Sequence, residues 1–237
     1  MLLQIDKHTD KKPPRLSASK LKVYESCPKR YKLQYLIGQR GEANLWGIIG
    51  SAAHKAIELY YRDQTPIGVT LQERVNKHLT PDTEGFEYYH ATYQAIYASL
   101  QSFDPTLYKP VEMEKYFRLP YPNVDNPICT LEGYIDVIGD TYIVDYKTGG
   151  DTPSKKSLSD DLQFIIYYWA YNQLYGAYPK EIIYHRLRNH KQIRQSKFNL
   201  EKLDTIIHKF LTDTFEYDMN ACENCPSYCG VRSYAPR

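Results

Sequence analysis

Two acidic residues and a lysine lie close together on two segments that alternate in the manner of β-strands. Residues 134–138 and 142–146 are rich in β-branched and aromatic side chains, and a Gly-Asp dipeptide typical of turns follows the first. The first segment carries Asp136, and the second leads through Asp145 to Lys147. Because alternate residues of a strand share a face, Asp145 and Lys147 are expected on one face, about 6.6 Å apart. The sequence therefore predicts a hairpin whose two arms direct charged groups at one spot.

Two carboxylates and an ammonium group on a rigid sheet suit the hydrolysis of a phosphate ester. Carboxylates bind hard divalent cations such as Mg²⁺, which keep coordination positions for water and for a phosphate oxygen. The lysine would offset negative charge on the attacked phosphoryl group or hold the attacking water. The alternative is a solvent-facing hairpin with ordinary surface charges, which one-sided antiparallel sheets often carry. The hairpin alone leaves both interpretations open.

Composition and charge narrow the class of protein. The chain has 237 residues, which is enough for one large domain with a sizeable core. Its net charge of +2 neither demands nor excludes nucleic acid as a partner. The sequence shows no apolar leader and no apolar run of membrane-spanning length, so it predicts a cytoplasmic protein without a membrane partner. Most of the 24 tyrosines are expected in a wet aromatic core, although tyrosines also stack on nucleobases.

The elements predicted around the hairpin are mainly helical. Helices are expected within residues 17–35, broken at Cys27-Pro28, and over residues 47–63, 70–79, 86–102, 160–176 and 199–217. Strands are expected over residues 109–119 and 181–189, with proline-marked and polar loops over residues 120–127 and 151–160. Alternation along residues 109–119 places Glu112 and Glu114 on one face. This order predicts a two-layer α/β fold with a mixed sheet flanked by helices.

Several motifs, in this order, resemble those of the RecB-like branch of the PD-(D/E)XK nuclease superfamily. They are SKLKVYESCP, the helical G-x-x-x-H of Gly50 and His54, Glu114 in VEMEKYF, GYID ending at Asp136, DYKTG with Asp145 and Lys147, and QFIIY with Gln163 and Tyr167. Each motif is weak alone, but together they span roughly residues 16–230 in the expected order. The resemblance implies a restriction-endonuclease-like core, with a central mixed sheet, an N-terminal helical region and a C-terminal cysteine cluster.

The resemblance implies a metal centre and a catalytic set. The implied ligands for Mn²⁺ or Mg²⁺ are His54, Asp136, Asp145 and the backbone carbonyl of Tyr146. Lys147 would position the water and offset charge, and Glu114 would assist through water or a second metal, with Glu112 as the fallback. Reasoning from residue types alone supports Asp136, Asp145 and Lys147, and it is neutral on His54.

The resemblance also implies contacts with DNA. Gln163 and Tyr167 would hold the DNA backbone near the scissile phosphate. We also expect Lys155 and Lys156 to contact phosphates, because both are predicted to be exposed in a polar loop. Tyrosines spaced as in this helix are, alternatively, ordinary core residues.

The cysteines predict a second metal site. Five cysteines without a signal peptide argue against a disulfide framework. Cys27, Cys222, Cys225 and Cys229 supply four thiolates, the number that a 4Fe–4S cluster or a Zn²⁺ site requires. In iron–sulfur members of the branch, one cysteine before the core joins three after it. The Cys225–Cys229 gap is shorter than usual there, which leaves the cluster type open, although the spacing suits iron–sulfur better than zinc. Cys129 is expected to be a buried structural thiol.

The expected organisation is a flexible arm over residues 1–15 and a single nuclease domain over residues 16–237. Its parts are a helical region (16–104), the catalytic sheet with the Q-x-x-x-Y helix (105–190) and a C-terminal helix with the cluster-binding tail (191–237).

The resemblance implies a Mg²⁺- or Mn²⁺-dependent deoxyribonuclease, an exonuclease directed at single strands or ends, with a structural 4Fe–4S cluster. Similar proteins are the CRISPR-associated and phage RecB-like exonucleases, and a phage protein would act in the host cytoplasm. DNA is the expected partner, joined by a helicase or CRISPR integration proteins, because the sequence has no P-loop of its own. The alternative is a DNA-binding or assembly module for spacer acquisition or phage recombination that cuts weakly or only with a partner.

Overall fold

The structure is a computed structural model that describes residues 13–39, 45–149 and 152–216. These residues form one mixed sheet of six strands with helices on both faces. The strands are β1 (Arg15–Leu16), β2 (Glu112–Tyr121), β3 (Cys129–Ile138), β4 (Tyr142–Lys147), β5 (Glu181–Arg186) and β6 (Lys191–Gln195). The helices are α1 (Ala18–Ser26), α2 (Pro28–Tyr31), α3 (Leu45–Asp63), α4 (Ile67–Val75), α5 (Phe86–Gln101), α6 (Lys155–Ser159), α7 (Leu162–Tyr175) and α8 (Leu200–Thr212). The predicted α/β fold with a mixed sheet flanked by helices is confirmed, but the prediction of two layers is wrong, because helices on both faces of the sheet make three.

β3 is the strand that organises the sheet. One edge of β3 pairs antiparallel with β2 along its whole length. The other edge pairs in parallel with β1 at Thr130 and Leu131, and antiparallel with β4 at Val137 and Ile138. β5 runs parallel to β4, and β6 runs antiparallel to β5. The predicted hairpin is therefore present, although its two strands pair only next to the turn.

Two apolar cores cover the two faces of the sheet. The first core contains side chains of α1, α7 and α8, and the second contains side chains of α3, α4 and α5. Alternate residues of β5 show the division, since Ile182 and Tyr184 belong to the first core and Ile183 to the second. The aromatic residues of both cores include many tyrosines, as the composition predicts.

Local signals in the sequence set several helix ends. Ser17 caps α1 by accepting a hydrogen bond from the Lys20 N–H, and the predicted break at Cys27-Pro28 separates α1 from α2. A π-helical turn over Lys32–Leu36 continues α2. The C-terminal end of α7 is Gly176, whose φ of 74° is the left-handed conformation that glycine adopts without steric cost.

Several local predictions are wrong, and two short strands are not predicted. Pro120 pairs with Thr130 inside β2, because an edge strand leaves part of its backbone unpaired and so accommodates a proline. The predicted polar loop over residues 151–160 contains α6, which Ser154 caps and the buried Leu158 anchors. The short strands β1 and β6 have no strong sequence signal, and they form because β3 and β5 offer them partners.

Residues 1–12 of the predicted flexible arm lie outside the described residues. Arg15, the last residue of that arm, belongs to β1. Within the described ranges, no helix has the length and apolar character needed to cross a bilayer.

Candidate active site

A reversal of the side-chain alternation in β2 and β3 creates the centre of the site. Glu114 has a φ of 47°, which is rare for a residue other than glycine and typical of strained functional positions. It stands opposite Asp136, between the ladder pairs Met113–Val137 and Lys115–Ile135. Strict alternation would place residues 135 and 137 on one face, yet Ile135 packs in the first core and Val137 in the second. The faces to which odd- and even-numbered side chains point are therefore exchanged at Glu114 and Asp136.

This reversal overturns the prediction that Glu112 and Glu114 share a face. Glu112 accepts a hydrogen bond from the Tyr175 hydroxyl of α7 and pairs with Lys115. Glu114 lies instead beside His54 of α3, on the opposite side of the sheet. β2 therefore contributes Glu114 to the site, and Glu112 is not the alternative acid.

His54, Glu114 and Asp136 form a cluster that we call the acid–histidine group. His54 Nδ1 lies 3.3 Å from Asp136 Oδ2 and 3.8 Å from Glu114 Oε1. One ligand atom from each residue lies within 4.8 Å of the others. Across the part of the chain that the structure describes, no other trio of acidic, histidine or cysteine residues converges in this way. Asp136 is 6% exposed, whereas the side chains of His54 and Glu114 are about a quarter exposed, so the group opens to solvent on one side.

The backbone explains how these residues converge. Residue 50 is glycine, and a Cβ there would lie 3.3 Å from Thr148 Oγ1, so a small residue lets α3 approach the end of β4. His54 lies one helical turn further along the same face of α3. Beyond the Val137–Val144 pair, the Asp136 carboxylate accepts a hydrogen bond of 2.8 Å from the Tyr146 N–H. The Asp136 carboxylate thus takes the place of a backbone acceptor between β3 and β4.

Asp145, Lys147, Gln163 and Tyr167 form a second cluster, the lysine–glutamine group. Lys147 Nζ lies 2.7 Å from Asp145 Oδ2 and donates to Gln163 Oε1 over 3.1 Å. The Gln163 amide donates to Asp145 Oδ1 over 3.1 Å and to the Tyr167 hydroxyl over 2.8 Å. Asp145 is completely buried, and the Lys147 side chain is 30% exposed. Asp145 and Lys147 share one face, as predicted, and Gln163 of α7 contacts both.

Burial and neighbouring charges shift the pKa of each titratable group. Burial raises the pKa of Asp145 to about 6. The positive charge of Lys147 acts to lower this pKa, and the negative charge of Asp136 acts to raise it. Burial also acts to raise the pKa of Asp136, but the charges of His54 and Lys147 outweigh it and the pKa lies below its ordinary value. Burial acts to lower the pKa of His54, yet Asp136 and Glu114 raise it to about 10. The two aspartates therefore differ in basicity although both are buried.

The acid–histidine group fits a divalent cation. Mg²⁺ and Mn²⁺ take carboxylate oxygens together with water, and imidazole is a further ligand for the transition metals. His54 must lose its proton to bind, so metal binding at this group releases a proton. Asp145 is not a member of the group, because its oxygens contact Lys147 and Gln163. That Asp145 and the backbone carbonyl of Tyr146 bind the metal ion stays a prediction.

The other predicted binding residues lie apart from both clusters. Lys155 and Lys156 are exposed on α6, and their contact with phosphates stays a prediction. Cys27 is partly exposed between α1 and α2, where its Sγ accepts a hydrogen bond from the Arg30 N–H. The remaining cysteines of the predicted cluster lie outside the described residues, and they are Cys222, Cys225 and Cys229. Cys129 is buried as predicted, and burial raises the pKa of its thiol to about 12.

Two cavities meet at the acid–histidine group, and a third adjoins one of them. A groove of about 820 Å³ contains His54 and Asp136 together with Ser51, Tyr116 and Tyr134. Two smaller cavities, of about 330 and 230 Å³, continue past α3 to basic residues at the end of α4 and in the turn that follows it. Ser51 lines all three cavities, so they form one path across the site. The sequence analysis did not single out Ser51, although its position between Gly50 and His54 is a usable signal.

Known proteins are similar to this chain in family or in fold. A family model described as the PD-(D/E)XK nuclease superfamily matches residues 15–234. A crystal structure of a Eubacterium rectale protein, which carries the provisional name of an exonuclease, is 13% identical and has a TM-score of 0.52, covering 84% of this chain and 78% of that chain. A protein named SSO0001 is 11% identical over 86% of this chain and 96% of that chain, with a TM-score of 0.32.

No curated protein matches this chain. The likeness to the Eubacterium rectale structure is one of fold. The family match includes both clusters and every strand and helix described above, and on this basis the chain belongs to the PD-(D/E)XK nuclease superfamily.

Proposed function

We propose that this protein is a Mg²⁺- or Mn²⁺-dependent deoxyribonuclease that degrades DNA from single-stranded or free ends. The observation that carries the proposal is the convergence of His54, Glu114 and Asp136 within 4.8 Å, beside the buried ion pair of Asp145 and Lys147. Membership of the nuclease superfamily supports hydrolysis of phosphodiester bonds. The name of the Eubacterium rectale fold relative favours exonuclease action.

The acid–histidine group would hold the divalent ion. His54, Glu114 and Asp136 supply the converging ligand atoms, and Asp145 with the Tyr146 carbonyl would complete the set. A divalent cation bound there supplies positive charge to the phosphoryl oxygens and makes a water molecule more acidic.

The lysine–glutamine group would orient the reacting atoms. Lys147 keeps its positive charge, because Asp145 and Asp136 raise its pKa although burial opposes this. Held between Asp145 and Gln163, its ammonium group would donate to the attacking water or to a phosphoryl oxygen and offset the charge that develops there. A donor fixed before the reaction stabilises the transition state more than a mobile one.

The groove would receive the DNA backbone. Gln163 and Tyr167 both line it next to Asp136, which supports the proposal that they contact the strand close to the scissile phosphate. Lys155 and Lys156 would contact phosphates from α6. Such contacts are electrostatic and independent of sequence, so binding should weaken as salt increases.

We also propose that Cys27, Cys222, Cys225 and Cys229 bind a structural 4Fe–4S cluster. The path of the chain supports this pairing of distant cysteines. After α8, the Tyr24 hydroxyl donates to Asp213 Oδ2 over 2.6 Å, and the ring of Phe215 stacks on that of Tyr31 at 5.7 Å. Tyr24 and Tyr31 flank Cys27 in sequence, so the chain returns to the neighbourhood of Cys27 shortly before the three cysteines.

The cluster is tested with protein purified without oxygen. Wild type should absorb visible light and contain iron, whereas Cys225→Ser should lose both and unfold at a lower temperature. Cys129→Ser is the matched control, since this thiol is buried in the first core, and it should keep the absorbance. A colourless wild type with bound zinc would replace the iron–sulfur proposal with a zinc site.

The nuclease proposal is tested with end-labelled single-stranded and duplex DNA in Mg²⁺, Mn²⁺ or EDTA. We expect degradation with either metal, none with EDTA, and a ladder of products that gives the direction of digestion. Binding of DNA without cleavage under every condition would contradict the enzyme and favour a DNA-binding assembly module.

A further inference from the structure

Two exposed tyrosines stand side by side next to the acid–histidine group. Tyr116 and Tyr134 are cross-strand partners on β2 and β3, with ring centroids 5.0 Å apart. They are 41% and 56% exposed, respectively, on a sheet face that helices cover elsewhere. Tyr134 lies two residues before Asp136, just before the reversal of alternation. Two large aromatic surfaces thus lie open to solvent beside the proposed centre.

Polar contacts hold the Tyr116 side of this pair in a defined arrangement. The Arg118 guanidinium lies 5.6 Å from the centroid of the Tyr116 ring. Glu132 accepts hydrogen bonds of 3.3 Å from the Tyr116 hydroxyl and from Arg118 Nε. Aromatic rings and a guanidinium group that are already oriented lose little freedom when a planar ligand stacks on them.

The path across the site differs in chemistry at its two ends. The groove of about 820 Å³ joins Tyr116 and Tyr134 to His54 and Asp136. Beyond Ser51, the same path reaches Arg74 in the last turn of α4 and Lys77 and His78 just after that helix. One end therefore offers cationic side chains suited to phosphates, and the other offers aromatic faces.

We propose that Tyr116 and Tyr134 form a stacking platform for unpaired nucleobases of the DNA strand whose scissile phosphate lies at the acid–histidine group. The position of that phosphate rests on the proposed nuclease function. Stacking requires bases whose faces are free, and pairing in a duplex hides them. Phosphate contacts attract single strands and duplexes alike, so the platform is the feature that selects single strands.

The platform is tested by fluorescence anisotropy in EDTA, which separates binding from cleavage. The probes are labelled oligothymidylate, a strand of equal length with abasic sites, and a hairpin duplex. Tyr134→Ala should weaken binding of oligothymidylate about five- to a hundredfold, with little change for the abasic strand and the duplex. Tyr134→Phe should retain binding because it keeps the ring, and Tyr116→Ala should behave like Tyr134→Ala.

Two control variants sharpen the result. Tyr88→Ala removes a tyrosine that is 68% exposed on α5 and does not line the groove, and it should leave all affinities unchanged. Arg74→Ala should weaken the binding of all three probes equally and reduce the dependence on salt, because it removes a phosphate contact.

The outcomes separate this inference from the proposed function. Equal affinity of Tyr134→Ala and wild type for oligothymidylate, equal losses on all probes, or a wild type that binds no single strand would overturn the platform. If wild type cuts no DNA with Mn²⁺ while Tyr134→Ala selectively loses oligothymidylate, the nuclease fails and the platform stands. If wild type cuts DNA but Tyr134→Ala binds normally, the nuclease stands and the platform fails.

Discussion

Two histidines lie close to the Tyr146 ring in opposite electrostatic surroundings. The ring centroid of Tyr146 is 6.3 Å from that of His54 on α3 and 5.6 Å from that of His185 on β5. Burial acts to lower the pKa of both imidazoles, but the carboxylates near His54 raise its pKa to about 10. Within the described part of the chain no carboxylate offsets burial at His185, and burial with the neighbouring His190 lowers its pKa to about 4. The carboxylates of Glu114 and Asp136, rather than the histidine itself, make the surroundings of His54 suited to a cation.

The region around His185 satisfies its polar groups internally. The Tyr108 hydroxyl lies 2.9 Å from His185 Nδ1, and His185 Nε2 lies 3.3 Å from His190 Nδ1. His190 Nε2 in turn lies 2.9 Å from the Ser99 carbonyl oxygen. A neutral His185 that accepts from Tyr108 completes this chain of hydrogen bonds. We therefore interpret His185 as structural and His54 as functional, and the following predictions test that contrast.

The largest effect is expected from removing the charge that distinguishes the two regions. Asp136→Asn takes away an anion beside His54 and a ligand atom, so DNA cleavage should fall by about a thousandfold or more. The measurement is the initial rate on end-labelled single strands with Mn²⁺, alongside a circular dichroism spectrum.

Asp140→Asn is the matched control for this change, because Asp140 is exposed next to the hairpin turn and should tolerate the substitution. A rate for Asp136→Asn within tenfold of wild type, with the fold intact, would contradict the assignment of the centre.

A loss of about a hundred- to a thousandfold in rate is expected for Lys147→Met. This variant leaves the acid–histidine group in place, so Mn²⁺ should still bind while cleavage falls. Lys115→Met is the control, since Lys115 pairs with Glu112 away from the site. Loss of Mn²⁺ binding in Lys147→Met would contradict this division of roles, because it would show that metal binding also needs the lysine–glutamine group.

The pH dependence of stability should report on His185. Its pKa is about 4 in the folded protein, below the 6.5 of an exposed histidine, so the unfolded chain binds the proton first. The stabilisation is complete above about pH 6.5 and is lost as the pH falls towards 4, by about 3 kcal/mol in total. Asp145, whose raised pKa of about 6 lies in the same range, contributes in the opposite sense. The contribution of His185 is therefore the difference between wild type and a variant without the imidazole, measured by urea unfolding of the metal-free proteins at several pH values.

His185→Phe sharpens the same measurement. The variant should be less stable at neutral pH, because Tyr108 and His190 lose a partner, but it should lose less stability than wild type as the pH falls from 6.5 to 4. A slope identical to that of wild type would mean that other groups cause the acid sensitivity.

The smallest effect is expected from Tyr108→Phe. It removes one hydrogen bond to His185 and should lower the free energy of unfolding by about 1 kcal/mol at neutral pH. Cleavage should stay unchanged, because this residue touches neither cluster. A large loss of activity would show that the structural region controls the site through Tyr146.

The sequence predicts much of this site because its signals are local. Alternation and a turn dipeptide locate the hairpin, and the same pattern places Asp145 and Lys147 on one face, as the structure confirms. The spacing from Gly50 to His54 needs only one helical turn. Capping residues such as Ser17 and Gly176 likewise act within a few positions of themselves.

The sequence fails where geometry depends on distant parts of the chain. Strict alternation predicts that Glu112 and Glu114 share a face, but the positive φ of Glu114 reverses the phase, and nothing in its residue type announces this. The convergence of α3, β2 and β3 at the acid–histidine group is a tertiary property. The Tyr116–Tyr134 pair depends on the register of two strands, which no local pattern reveals.

The most direct test of the contrast between the two histidine regions is a calorimetric titration of Mn²⁺ into wild type, Asp136→Asn and His185→Phe. The site assigned here predicts metal binding by wild type and by His185→Phe, with binding abolished or weakened by about a hundredfold or more in Asp136→Asn. Equal Mn²⁺ affinity in Asp136→Asn and wild type, with both proteins folded, would contradict the assignment of the metal centre to the acid–histidine group.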